Sequence, residues 1–158
     1  MRIGVLDYGA GNLRNVYRAI DFLGFTYVAI KSSKDFRSLD KLIIPGVGAF
    51  KIAMTQLKEN GLVDPIKAYS SSGMPVLGIC LGMQLLFDRS EEFGHCEGLG
   101  LISGSILNIR SQHQLLSENR IKVPLIGWQK LDFLSNDALF DGLERSSFHG
   151  YFVHSYMA

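Results

Sequence analysis

Cys80 stands between Gly78 and Gly82 in the run "PVLGICLGMQLLF", Pro75 to Phe87. A thiol so placed can act as a nucleophile. A strand that turns sharply into a helix lifts the intervening side chain out of the sheet, as serine is lifted in the nucleophile elbow. Small flanking residues are needed because neighbouring backbone crowds such a turn. At the start of a helix the dipole favours the thiolate form. Taken alone, G-x-C-x-G fits a buried strand-end cysteine equally well.

A second glycine-rich stretch, "PGVGAF" (Pro45 to Phe50), follows a different apolar run. Gly46 and Gly48 free the backbone to present amide N–H groups or to flip a peptide. An oxyanion hole needs one backbone donor just after the nucleophile and another from a neighbouring loop. Leu81 N–H and an N–H near Val47 and Gly48 are the candidates. Both stretches fall at C-terminal ends of expected parallel strands, where ligands bind in such folds.

The other polar stretches are weaker. "DYGAGNLRN" places Gly9 and Gly11 at the first two positions of a dinucleotide fingerprint, but Arg14 occupies the third. A tight turn with Asn12 capping the following helix is the simpler expectation. "SEEFGHCEGLG" carries Glu91, Glu92, His95, Cys96 and Glu97 without compact metal-ligand spacing. It reads as a solvated acidic loop, although a carboxylate near Cys80 could take a substrate ammonium group. His154 lies in an aromatic strand pattern, and His113 and His149 sit in less regular settings.

Composition bounds the alternatives. With 158 residues, 47% hydrophobic and 20% charged, the chain suits one soluble domain. A formal net charge of +1 gives no electrostatic case for nucleic acid or an anionic membrane. No apolar run approaches a membrane span, and "MRIGVLDYG" is too short for a signal-peptide core. Two cysteines make neither a disulfide framework nor a metal set. The expected location is the reducing cytoplasm.

These residues must be positioned by strands and helices that alternate. "RIGVLDY", "FTYVAI", "KLIIPGVG" (ended by Pro45) and "PVLGIC" read as strands. "NLRNVYRAIDFLG" reads as a helix, with Leu13, Val16, Tyr17, Ile20 and Leu23 at helical spacing and Gly24 as its stop. "FKIAMTQLKENGLVDPIKAYSSSG" is helical with breaks at Gly61 and Pro65, and "LGMQLLFDRS" is helical. The alternation predicts a doubly wound, flavodoxin-like, mostly parallel α/β sheet. After Gly94, "LGLISGSILNI", "RIKVPLIGWQKLDF" and "GYFVHSYMA" are strand-like, predicting an antiparallel extension or added lobe. "RSQHQLLSEN" between them is an expected exposed loop or hairpin tip.

Taken together, "YGAGN", "PGVGAF", "GICLGMQLLF", "SEE", "GLG", "PLIGWQ" and "YFVHSY" resemble class I glutamine amidotransferases. In that order they are most similar to the glutaminase subunits of imidazole glycerol phosphate synthases. The resemblance runs from Ile3 to Tyr156 and implies a single glutaminase domain, 1–158. It implies that Cys80 attacks the side-chain amide of glutamine, giving a glutamyl thioester and ammonia, and that water releases glutamate. It assigns the oxyanion to Leu81 N–H and Val47 N–H, the latter after the Gly46–Val47 peptide reorients. Gly48, Gln84, Glu92, Ser155 and Tyr156 match glutamine-binding positions, and Asn12, Trp128 and Tyr151 match positions facing a partner.

That implied partner is a (β/α)₈ cyclase subunit. It uses the ammonia to make imidazole glycerol phosphate and an aminoimidazole carboxamide ribotide in histidine biosynthesis, and the resemblance implies no cofactor. Three positions depart from the usual pattern: Leu125 and Ile126 replace histidine and methionine, and Gln129 replaces asparagine. These keep a second expectation open, a glutaminase serving a sugar amidotransferase of surface-polysaccharide synthesis. The family's triad histidine and glutamate come from a late "HPE" motif that residues 1–158 do not contain. The domain is therefore expected to be C-terminally incomplete, and the chain as given inactive or a non-catalytic partner protein.

Overall fold

Strands apolar on both faces need cover on both sides, and "RIGVL" and "KLIIPG" are of that kind. The computed structural model describes residues 1–116, 122–132, 138–142 and 148–158. They form two compact units, Met1–Leu107 (with Ala158) and Asn108–Met157.

In the first unit, β1 (Arg2–Leu6), β2 (Thr26–Ile30), β3 (Lys41–Gly46) and β4 (Val76–Cys80) form a parallel sheet of order β2-β1-β3-β4. Helix α1 (Leu13–Phe22) links β1 to β2, while α2 (Phe50–Glu59) and α3 (Val63–Ser71) link β3 to β4. The two crossovers run in opposite directions along the sheet. Right-handed connection therefore puts α1 on one face and α2 and α3 on the other. Ile3, Val5 and Ile20 form a buried cluster with Leu13, Val16, Tyr17 and Ile43 packed against it, so α1 covers the Ile3–Val5–Ile43 face. This is the doubly wound arrangement that the alternation predicts.

Three local expectations fail for identifiable reasons. Pro65 does not break α3, because it sits in the first turn, where its missing N–H would find no helical partner anyway. β3 continues one residue past Pro45. The run "LGMQLLFDRS" is helical only over α4, Leu81–Gln84, and then becomes β5, Phe87–Ser90. Carbonyls of Leu85, Leu86, Phe87 and Asp88 accept hydrogen bonds from the amides of residues 98–102 at 2.8–3.1 Å. That tertiary ladder outcompetes the helical periodicity. β5 pairs antiparallel with β6 (Cys96–Glu97) and parallel with β7 (Ile102–Asn108).

In the second unit, β8 (Leu125–Lys130) and β9 (His149–His154) form the expected antiparallel ladder, with Trp128 opposite Tyr151. β10 is Tyr156–Met157. The expected exposed loop at residues 110–119 is instead helix α5 over Ile109–Leu116, and its remainder lies outside the described residues. The ends of the expected strand at 120–133 also lie outside them. No helix among the described residues is long and apolar enough to cross a membrane.

Candidate active site

β3 and β4 are in register with Gly46 opposite Cys80, so the loops leaving these two strands start side by side. Cys80 ends β4 and precedes α4, is exposed, and has φ 55° and ψ −120°. That conformation is sparsely populated by any residue with a Cβ and costs about 1–3 kcal/mol. Such strain clusters at functional turns, and it lifts this thiol clear of the sheet. The exposed thiol is not the buried strand-end cysteine that the bare motif also fits.

The flanking glycines are required by close packing. A Cβ on Gly82 would fall 1.8 Å from the Ile44 carbonyl oxygen. One on Gly78 would lie 2.4 Å from Met83 Cα, and one on Gly46 would lie 2.6 Å from the Gly82 nitrogen. The first turn of α4 is thus pressed onto the backbone of β3, with Leu81 buried in between. Val47 is 55% exposed, directly after the Gly46 that pairs with Cys80. A side chain on Gly48 would meet nothing within 4 Å, so its glycine serves the backbone, which has φ +97°. Leu81 and the Val47–Gly48 loop hence flank the Cys80 turn.

Glu92 is also brought to this loop. Phe50 N–H, the first amide of α2, donates to Glu92 Oε2 at 2.7 Å, and Glu92 N–H donates to the fully buried Ser90 Oγ at 3.1 Å. The carboxylate complements the positive end of α2 and ties the acidic loop to the segment leaving Gly48. It is therefore more than the solvated acid its composition suggests. Gln84 closes α4 and is half-buried.

Tyr8 is a site residue that the sequence reading passed over. Its ring is 1% exposed, and its hydroxyl donates to the Pro45 carbonyl at 3.0 Å. Burial, with a smaller contribution from Cys80, pushes its phenol up to about 12. The available signal was an aromatic placed just where β1 ends at the same rim as "PGVG".

Asn12 is exposed at the start of α1 and does not cap it through its side chain; its carbonyl accepts from Asn15 and Val16 instead. Ser155, Tyr156, Trp128 and Tyr151 belong to the second unit. There Ser155 C=O accepts from Ile109 N–H at 3.0 Å, and His154 Nδ1 lies 2.9 Å from the Tyr156 carbonyl. Trp128 and Tyr151 are 69% and 58% exposed, with ring centroids 5.5 Å apart in an edge arrangement. Exposure on that scale rules out Trp128 as a core aromatic of the described residues. Cys96 is half-buried, with its Sγ 3.6 Å from the Glu97 carbonyl. No cluster of three or more His, Cys, Asp or Glu able to hold a metal occurs among the described residues.

The family model "Glutamine amidotransferase class-I" matches residues 4–158. The chain is 46% identical over 156 residues to imidazole glycerol phosphate synthase subunit HisH of Sulfurimonas denitrificans, covering 99% of this chain and 73% of that protein. It is 47% identical over 154 residues to the HisH subunit of Geobacillus thermodenitrificans, covering 98% and 70%. Among solved structures, one described as a glutamine amidotransferase superposes with a TM-score of 0.59 at 22% identity, over 67% of this chain and 56% of that one. A Thermoplasma acidophilum protein named for GMP synthase gives a TM-score of 0.61 at 19% identity, over 99% and 65%. The chain thus spans less than two thirds of either solved structure, and these two similarities bear on the fold alone.

Proposed function

From the premise that this chain belongs to the class I glutamine amidotransferases, within the family of HisH subunits, we propose that it is the glutaminase subunit of an imidazole glycerol phosphate synthase. The observation that carries the proposal is the exposed Cys80 on a strained strand-to-helix turn, in register with the loop that leaves Gly46. Cys80 Sγ, as thiolate, adds to the side-chain amide carbon of glutamine. Leu81 N–H and, after a peptide flip, Val47 N–H hold the oxyanion. The tetrahedral adduct expels ammonia, whose added proton comes from the triad base in its acid form, and leaves a glutamyl thioester. Water then releases glutamate and the thiol. Gly48, Gln84 and Glu92 are the glutamine-binding residues of the first unit, and Ser155 and Tyr156 those that the resemblance adds. Glu92 takes the substrate ammonium while keeping its tie to Phe50 N–H.

The ammonia passes to a (β/α)₈ cyclase subunit for histidine biosynthesis, in the cytoplasm. The HisH relatives support this partner over a sugar amidotransferase, despite Leu125, Ile126 and Gln129. Asn12, Trp128 and Tyr151 form part of the docking surface, where a desolvated tryptophan is a strong anchor. Trp128→Ala should weaken cyclase binding by roughly 30-fold, the equivalent of about 2 kcal/mol, with the melting temperature unchanged. A titration showing unaltered affinity would remove Trp128 from the interface.

The thiol needs a base, which the family draws from its "HPE" motif. Residues 1–158 on their own, supplied with the cyclase, should give negligible glutamine turnover, while a chain extended to carry that motif should exceed it by orders of magnitude. Faint residual hydrolysis fits the oxyanion donors acting without a base. Equal rates from the two chains, abolished by His154→Ala, would instead make His154 the base.

A further inference from the structure

The oxyanion mechanism asks one peptide, Gly46–Val47, to turn while everything around it stays fixed. A glycine frees both of its flanking peptides, so some other contact must decide which one moves. The peptide before Gly46 has such a contact. Tyr8 reaches across from the end of β1, and its hydroxyl donates to the Pro45 carbonyl at 3.0 Å. The same oxygen would lie 2.9 Å from a Cβ on Gly46, so it sits directly behind that residue. The Gly82 nitrogen and Leu81 Cβ crowd the same point, at 2.6 and 3.0 Å.

We propose that Tyr8 is a positioning residue of the oxyanion hole, which pins the Pro45–Gly46 peptide so that reorientation is confined to Gly46–Val47. The inference rests on the assignment of Val47 N–H as an oxyanion donor. Tyr8 is suited to the task by its surroundings. It is 1% exposed, and burial raises its phenol to about 12, so the hydroxyl stays protonated and donates throughout the working range of pH. A carbonyl can only accept, so an ionised phenol would lose the bond and repel the acceptor.

Tyr8→Phe removes the hydroxyl and keeps the ring. In the full-length subunit paired with its synthase subunit, kcat per active site should fall about tenfold, the rate equivalent of one buried hydrogen bond. KM should stay within about twofold, since uniform substrate binding is untouched. Active sites are counted by stoichiometric labelling of Cys80 with a glutamine-like electrophile. An unchanged kcat per labelled site overturns the proposal. Failure of the wild-type protein to label at Cys80 would instead bring down the glutaminase reading. Should Tyr8→Phe not fold, a ring-fluorinated tyrosine placed at position 8 substitutes for it, because its phenol ionises at lower pH. That enzyme should lose kcat on an alkaline limb that the wild type lacks, and a profile without the limb overturns the proposal.

Discussion

Replacing Cys80 with serine is expected to reduce glutamine hydrolysis by the assembled enzyme by at least about 10⁴-fold, with the fold intact. Hydroxyl and thiol differ little in volume, so the loss would report chemistry. A serine hydroxyl is far less ionised at neutral pH and needs a stronger base than a thiol does. Cys96→Ser should leave the rate unchanged, because Cys96 lies on β6, half-buried, with its sulfur near the Glu97 carbonyl. Mapping by mass spectrometry after brief exposure to a glutamine-like electrophile should find label on Cys80. Preferential labelling of Cys96 in the folded protein would defeat the assignment.

Gly82→Ala should be the most damaging single methyl in the first unit. Its Cβ would lie 1.8 Å from the Ile44 carbonyl oxygen and 2.7 Å from the carbon behind it. Those atoms belong to the backbone of β3, so no rotamer change relieves the overlap. Ordinary overpacking costs about 1–3 kcal/mol, and relief here requires α4 to part from the sheet. Against a total stability of roughly 5–15 kcal/mol, the expected result is a melting temperature lower by about 10 °C or more, or failure to fold. Lys51→Ala on the exposed side of α2 serves as the control and should change stability by no more than about 0.5 kcal/mol. A Gly82→Ala protein that melts beside the control would show that the turn has slack.

The parallel sheet and the strand-to-helix turn that carries Cys80 were legible because they rest on local signals. Apolar runs with no polar alternation mark buried strands, and the glycines around Cys80 and Val47 mark the turns. What stayed hidden was decided by partners distant in sequence. Leu85 to Ser90 carry helical periodicity, yet the carbonyls of Leu85 to Asp88 are claimed by residues 98–102. Glu92 looks like a solvated acid, and its tie to Phe50 N–H spans 42 residues. Tyr8 passes for a turn residue until a carbonyl 37 residues away is seen to accept its hydrogen bond. Asn12 shows the opposite error: a residue type suited to capping leaves the work to its own carbonyl.

The left-handed backbone of Cys80 sets stability and activity against each other at one codon. At φ 55° a cysteine costs about 1–3 kcal/mol that glycine would not, and glycine's extra chain entropy in the unfolded state returns only about 0.5–1 kcal/mol of that difference. Cys80→Gly is thus downhill for folding, while it removes the thiol on which the proposed chemistry depends. A laboratory screen that rewards thermostability alone would discard the thiol. A gene copy released from glutaminase duty would drift the same way, exchanging the thiol for a calmer turn while the rest of the sheet looked untouched.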